Sequence, residues 1–124
     1  MLTVFFFSCK EEEVNIPIIL DGTYKGTFQR RTLNGGLSSQ VTINFNSNTW
    51  NGESEYPKYP ALCNGAFTIR GNTIEFTNLC HWTAEFDWSL VLAQQYQIRK
   101  IGGSIEISRD YGGSFKDVYI LTKQ

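Results

Sequence analysis

The sequence predicts an all-β protein, an antiparallel up-and-down barrel of about eight short strands. Apolar and polar residues alternate with a period of two along most of the chain, no segment has a convincing helical period, and turns rich in Gly and Asn separate the apolar runs. Strands joined by tight turns are neighbours in space, which favours an up-and-down barrel over a Greek-key sandwich. Closure of the sheet also removes exposed strand edges.

Composition limits the classes of protein that the chain can form. Its 124 residues suffice for one domain, and nine Phe, six Tyr and three Trp supply a packed core rather than disorder. A formal net charge of -1 without a long basic run gives no support for a nucleic-acid partner. One His and no Cys/His cluster argue against a zinc site, and no motif implies a cofactor.

The first half of the body contains alternating segments separated by turn residues. Gly22–Arg31 alternates Tyr24 and Phe28 with polar neighbours, and the turn residues 34–36 lead to 40–45, which carries Val41, Ile43 and Phe45 on one side. A second turn at 46–48 precedes a strand over 49–56. The stretch 57–65 has two prolines and no period, which predicts a loop.

The second half continues the pattern. Gly71-Asn72 is a two-residue hairpin signal between the predicted strands 66–70 and 73–77. From Phe86 to Ile98 thirteen residues alternate, which predicts one long bent strand or two strands joined by a break near Ala93 and Gln94. Glycines at 102–103 and a turn at 110–114 then bound the last two predicted strands, 104–108 and 117–122.

The amino terminus has the layout of an export segment. The apolar run Met1–Phe7 ends at Ser8 and Cys9, and charged residues follow at once. The run is short and lacks a basic start, so we expect that translation begins further upstream. The alternative is that this segment is an apolar first strand.

The segment Phe6–Glu13, which reads FFSCKEEE, resembles the lipobox of bacterial lipoproteins, in particular the Cys-Lys-acidic starts of Bacteroidetes lipoproteins. The resemblance implies that residues 1–8 are a truncated signal segment, that Cys9 carries the lipid, and that residues 9–19 are a spacer. It implies an outer-membrane lipoprotein of the bacterial cell envelope, periplasmic or surface-exposed, which contacts the membrane through its lipid anchor.

With Cys9 assigned to the lipid, Cys63 and Cys80 remain as a pair. An oxidising envelope would join them, closing a loop of about 17 residues and stabilising the fold by about 3 kcal/mol. Two buried free thiols are the alternative.

The segment Asp21–Gly26, DGTYKG, resembles the Gly-x-Trp start of lipocalins with Tyr24 in place of the Trp. The body, residues 20–124, is similar to the small lipocalin-like, or calycin-like, domains of Bacteroidetes envelope proteins. The resemblance implies the same barrel that the alternation predicts.

Polar residues give little support for catalysis. Cys80 and His81 are adjacent and would point to opposite faces of a strand, and the pairs Glu53/Glu55 and Glu85/Asp87 read as solvated acids. His81 with Glu85 or Asp87 is the remaining candidate for proton transfer or weak metal binding. We therefore predict a non-enzymatic protein with no catalytic and no metal-binding residues.

The aromatic residues are the most informative set for function. An eight-stranded barrel is either filled by side chains or holds one small ligand. We expect a small apolar or amphipathic ligand at one mouth, contacted by Tyr24, Trp50, Trp88 and Tyr96, with a strand-end arginine able to orient its carboxylate. The alternative is a protein-protein interaction or inhibitor module that uses the outer face and the 57–65 loop. Convergence of Trp50, Trp82 and Trp88 on a cavity would favour the ligand, and an external apolar patch would favour the partner.

Overall fold

A computed structural model describes residues 19–83 and 86–124. Eight antiparallel strands form one closed barrel in which each strand pairs with its neighbours in sequence and β1 pairs with β8. This confirms the predicted fold class, and the closed antiparallel barrel is compatible with a lipocalin-like fold. The strands are β1 (Gly22–Arg31), β2 (Ser38–Asn46), β3 (Thr49–Ser54), β4 (Asn64–Arg70), β5 (Thr73–Phe76), β6 (Gln94–Ile101), β7 (Ser104–Asp110) and β8 (Lys116–Lys123).

The two ends of the barrel differ in their connections. One end, which we call the turn end, carries the short hairpin turns at residues 47–48, 71–72 and 102–103 together with the approach to β1 at residues 19–21. The other end, the loop end, carries the connections 32–37, 55–63, 77–93 and 111–115. At the turn end Gly71 and Gly102 adopt φ of 60° and 58°, the left-handed backbone that tight hairpins need.

The barrel interior is filled by a continuous chain of aromatic rings. Successive ring centroids lie between 4.8 and 6.4 Å apart, most of them edge to face. The members, in order of contact, are Tyr24, Phe45, Phe67, Phe76, Tyr96, Tyr119 and Phe28, with Trp50 packed on Phe76. Of the two interiors that the aromatic content allowed, the barrel has the one that is filled by side chains.

The expectation of a strand running from Phe86 to Ile98 is wrong in its first half. Residues 88–90 form a single 3₁₀ turn, and β6 begins only at Gln94, whose φ is 73°. The carboxylate of Asp87 caps this turn by accepting a hydrogen bond from the Ser89 N–H at 2.9 Å. The break thus lies where the sequence suggested one, but a loop and not a strand precedes it.

A disulfide joins Cys63 and Cys80, which are 17 residues apart in sequence. It ties the connection before β4 to the long connection between β5 and β6. The predicted pairing is confirmed, and the alternative of two free thiols is wrong. Cys9 lies outside the described residues, so its lipidation stays a prediction. In the parts of the chain that the structure describes, no helix has the length and apolarity needed to cross a bilayer.

Candidate functional site

The loop end is closed by a buried ion pair. Arg30 on β1 donates from Nε to Oδ1 of Asp117 at 2.7 Å and from Nη2 to Oδ2 at 2.8 Å. Its Nη1 donates to Oδ2 of Asp87 at 2.9 Å, and Nη2 also reaches the Ser89 hydroxyl at 2.9 Å. Burial disfavours the charged guanidinium, but the hydrogen bonds and charge of Asp117 outweigh it and raise the pKa of Arg30.

Aromatic rings enclose this pair. The Arg30 guanidinium carbon lies 4.1 Å from the Phe115 ring centroid and 5.4 Å from that of Tyr111. Arg109 packs 4.4 Å from the Tyr96 ring and donates to the Tyr111 hydroxyl at 2.9 Å. The cations that β1 and β7 direct inward at the loop end are therefore held by partners of this chain.

The turn end has a different arrangement of inward-facing cations. Alternation places Lys100 on the same face of β6 as the buried Tyr96 and Ile98, and Lys123 on the same face of β8 as the buried Tyr119 and Leu121. Both lysines line a cavity of about 210 Å³ at this mouth. Among the residues that the structure describes, ion pairs form only from Arg30 and Arg99, so neither lysine has an ionic partner there.

The remaining wall of this cavity, which we call the turn-end mouth, is apolar or small. Its other lining residues are Leu20, Tyr24, Gly102, Gly103, Ser104 and Ile105. The Tyr24 hydroxyl donates to the carbonyl oxygen of Leu20 at 3.0 Å, which fixes the approach of the chain to β1. Burial, with a smaller contribution from the charge of Asp21, raises the pKa of Tyr24, so this hydroxyl stays protonated at neutral pH.

The four predicted ligand residues do not converge. Trp50 and Tyr96 are each 2 % exposed and belong to the aromatic core, and Trp50 donates from Nε1 to the carbonyl oxygen of Thr77 at 2.9 Å. Tyr24 lines the turn-end mouth, whereas Trp88 is 54 % exposed on the outside of the loop end. Lys100 and Lys123 were not among the predicted site residues, although extending the alternation by one inward position past each apolar series would have found them.

Exposed apolar side chains gather mainly at the loop end. Trp88 is in series with Phe86 and Trp82, with ring centroids 6.4 and 5.9 Å apart, and the Lys58 ammonium lies 4.9 Å from the Phe86 ring. Both outer indoles are fixed by hydrogen bonds, Trp88 to the Thr83 carbonyl and Trp82 to the Asn78 side chain. The other exposed apolar residues at this end are Leu33, Leu37, Tyr56 and Leu79.

The acidic residues weighed for catalysis have structural surroundings. The Asp87 carboxylate accepts from the hydroxyl and the N–H of Ser89 and pairs with Arg30, and these contacts lower its pKa. Glu55 accepts a hydrogen bond from the Gln40 N–H at 3.0 Å, while His81 is exposed and Glu85 lies outside the described residues. Within residues 19–83 and 86–124, no group of three or more His, Cys, Asp and Glu side chains is placed to hold a metal ion.

Comparisons with protein-family models, with curated proteins and with solved structures found no significant match. Function is therefore inferred from the geometry of the two ends of the barrel.

Proposed function

We propose that this protein is a lipid-anchored, non-enzymatic binding module that holds a small amphipathic ligand at the turn-end mouth. The observation that carries the proposal is the pair of inward-facing lysines, Lys100 and Lys123, above an apolar wall and without an ionic partner in the described chain. At the opposite end the inward-facing Arg30 and Arg109 are held by acidic or aromatic partners of the described chain. A cavity of about 220 Å³ at that end is lined by Arg31 and Lys116, which occupy outward-facing positions of β1 and β8.

The ligand's polar head would lie between the two ammonium groups. Each can donate a charge-assisted hydrogen bond to a carboxylate or phosphate oxygen. The apolar part of the ligand would contact Leu20 and Ile105. This replaces most of the ligand residues predicted from sequence and keeps Tyr24.

The size of the cavity limits the ligand. About 210 Å³ is less than the roughly 300–1,000 Å³ typical of drug-sized ligands, and the aromatic core prevents deeper entry. A short chain or a single head group fits, with any longer tail extending outward past Leu20.

The anchor is part of the proposal. It is supported by the lipobox resemblance around Cys9 and by the Cys63–Cys80 disulfide, since disulfides persist in oxidising compartments such as the bacterial envelope. Mass spectrometry of membrane-extracted protein tests it: an acylated Cys9 is expected, and an unmodified Cys9 in protein that remains in the membrane fraction would contradict it.

Calorimetric titration tests the ligand site. We expect saturable binding of octanoate and octyl phosphate and at least roughly tenfold weaker binding by Lys100→Ala and Lys123→Ala, since a hydrogen bond to a charged group contributes about 1.5–3 kcal/mol. Lys116→Ala, which removes the same charge at the loop end, is the matched control and should bind as the unaltered protein does. Equal losses in all three variants, or no binding of either amphiphile, would refute the site.

A protein partner at the loop end is the second candidate function. It is favoured by the exposed Trp88, which lies in a fixed series of rings beside the 55–63 connection. Cross-linking in intact cells separates the two candidates. A partner lost in Trp88→Ser and retained in Lys100→Ala would favour this one, and a pattern unchanged by Trp88→Ser would oppose it.

A further inference from the structure

The turn end carries a basic rim that extends beyond the proposed ligand mouth. Arg70 closes β4, and Lys100 and Lys123 lie at the ends of β6 and β8, all of them exposed. Asp21 is the one acidic side chain on the described segments that form this end, and its Oδ1 accepts a hydrogen bond from the Ser47 N–H at 2.8 Å. The loop end, by contrast, mixes its cations with Asp87, Asp110 and Asp117.

Two exposed apolar side chains lie on the same rim. Leu20 is 60 % exposed beside β1, and Ile101 is 42 % exposed at the end of β6, next to Lys100. A surface that combines cations with isolated apolar side chains suits the interface of a bilayer, where lysine and arginine meet anionic head groups and apolar side chains enter the acyl boundary.

The chain enters the barrel at this end. Ile19, the first residue that the structure describes, is buried in the core, and Leu20 lines the turn-end mouth. The ten residues from Cys9 to Ile18 span at most about 36 Å even when extended. A lipid on Cys9 would therefore hold the turn end within reach of the membrane.

We infer that the turn end docks on a lipid surface with anionic head groups, so that Arg70, Lys100 and Lys123 face phosphate and Leu20 and Ile101 enter the interface. This inference rests on the proposed function: once docked, the turn-end mouth would open onto the membrane and take its ligand from the lipid surface. The cations supply attraction, and the lipid on Cys9 supplies persistence, since a single weak signal gives only marginal attachment.

The test uses the full chain with Cys9→Ser, so that attachment through a lipid cannot contribute. Sedimentation with vesicles of phosphatidylcholine alone is compared with vesicles that also contain phosphatidylglycerol. We expect binding only to the anionic vesicles and weaker binding as salt is raised. No binding to the anionic vesicles, or equal binding to both, would overturn the inference.

Matched variants locate the contact. Arg70→Gln should weaken vesicle partition by about fivefold, as expected for one cation near an anionic surface. The separate variant Ile101→Ser should weaken partition more than Arg70→Gln does. Arg31→Gln, which removes one cation at the loop end, should leave partition unchanged, and an equal loss in Arg31→Gln would overturn the inference.

Arg70 does not line the turn-end mouth, so Arg70→Gln should still bind octanoate. If the protein binds octanoate but not anionic vesicles, the docking inference fails while the proposed function stands. If it binds anionic vesicles but not octanoate, the proposed ligand site fails while docking stands.

Discussion

Arg30 and Asp117 form a bidentate ion pair between β1 and β8 at the loop end of the barrel. The side chain of Asp117 is 1 % exposed and that of Arg30 is 13 % exposed, so both charges are withdrawn from water. Such a pair is weak evidence for net stability. Removing Asp117, however, leaves the Arg30 guanidinium with only the largely exposed Asp87 as an ionic partner, and removing Arg30 leaves the Asp117 carboxylate buried without one. This asymmetry determines what replacement of either residue should do.

We predict that Asp117→Ala destabilises the protein by about 3–5 kcal/mol, because Arg30 then loses its buried partner. The double variant Arg30→Met with Asp117→Leu should recover most of that loss, since no buried charge remains. Urea denaturation measures both values. Lys116→Met, which removes an exposed cation that forms no ion pair in the described chain, is the control and should cost no more than about 0.5 kcal/mol. A double variant as unstable as Asp117→Ala would contradict this account.

The disulfide should stabilise the fold through the loop that it closes. Reduction, or Cys63→Ala with Cys80→Ala, is expected to lower the free energy of unfolding by about 3 kcal/mol, the value for a loop of this length in the chain-entropy model. The indoles of Trp82 and Trp88 lie on the connection that the disulfide ties down, so their fluorescence should change on reduction. Equal urea midpoints for the oxidised and reduced protein would show that the bridge constrains nothing.

Alkaline pH should unfold the protein through its buried phenols. Burial raises the pKa of Tyr96, Tyr111 and Tyr119, so these side chains stay protonated in the fold after their unfolded counterparts ionise near pH 10. The stabilisation is complete below about pH 10 and is lost as pH rises, at about 1.4 kcal/mol per pH unit for each such phenol. The free energy of unfolding, measured at several alkaline pH values, should fall less steeply with pH for Tyr119→Phe than for the unaltered protein. An equal dependence on pH in the two proteins would oppose the prediction.

Gly26 allows β1 and β8 to approach each other. A Cβ atom at this position would lie 1.8 Å from the carbonyl oxygen of Ile120, so Gly26→Ala must move backbone at the seam. We expect a loss of about 1–3 kcal/mol or more in the free energy of unfolding. Gly103→Ala is the matched control, since a Cβ there meets nothing within 4 Å, and the two variants should differ clearly in thermal unfolding. Equal melting temperatures would contradict the close approach.

The alternation and the turn residues predicted the barrel because both act locally. A buried face with a period of two and glycines suited to positive φ fix the strand boundaries at Gly71 and Gly102 without knowledge of distant contacts. The alternation at residues 86–93 misled for the same reason. There the aromatic residues lie in a connection positioned by the disulfide and by the Arg30–Asp87 pair, neither of which a local period can reveal.

The site was harder to predict than the fold. Aromatic side chains suggested a ligand cavity, yet Trp50 and Tyr96 belong to the core, where each packs edge to face on Phe76. The sequence feature that does mark the mouth of the barrel is a charged residue at the last inward position of a strand, as at Lys100. Arg30 occupies a comparable inward position at the loop end, and only its partner Asp117, which is distant in sequence, distinguishes it from Lys100.

Residue-resolved NMR during titration with octanoate tests the central claim most directly. We predict that the amide signals of four residues of the turn-end mouth, Gly102, Gly103, Ser104 and Ile105, shift together and saturably. The amide signals of Leu33 and Trp88 at the loop end should not shift. Shifts confined to the loop end, or the absence of saturable shifts at the turn-end mouth, would contradict the claim.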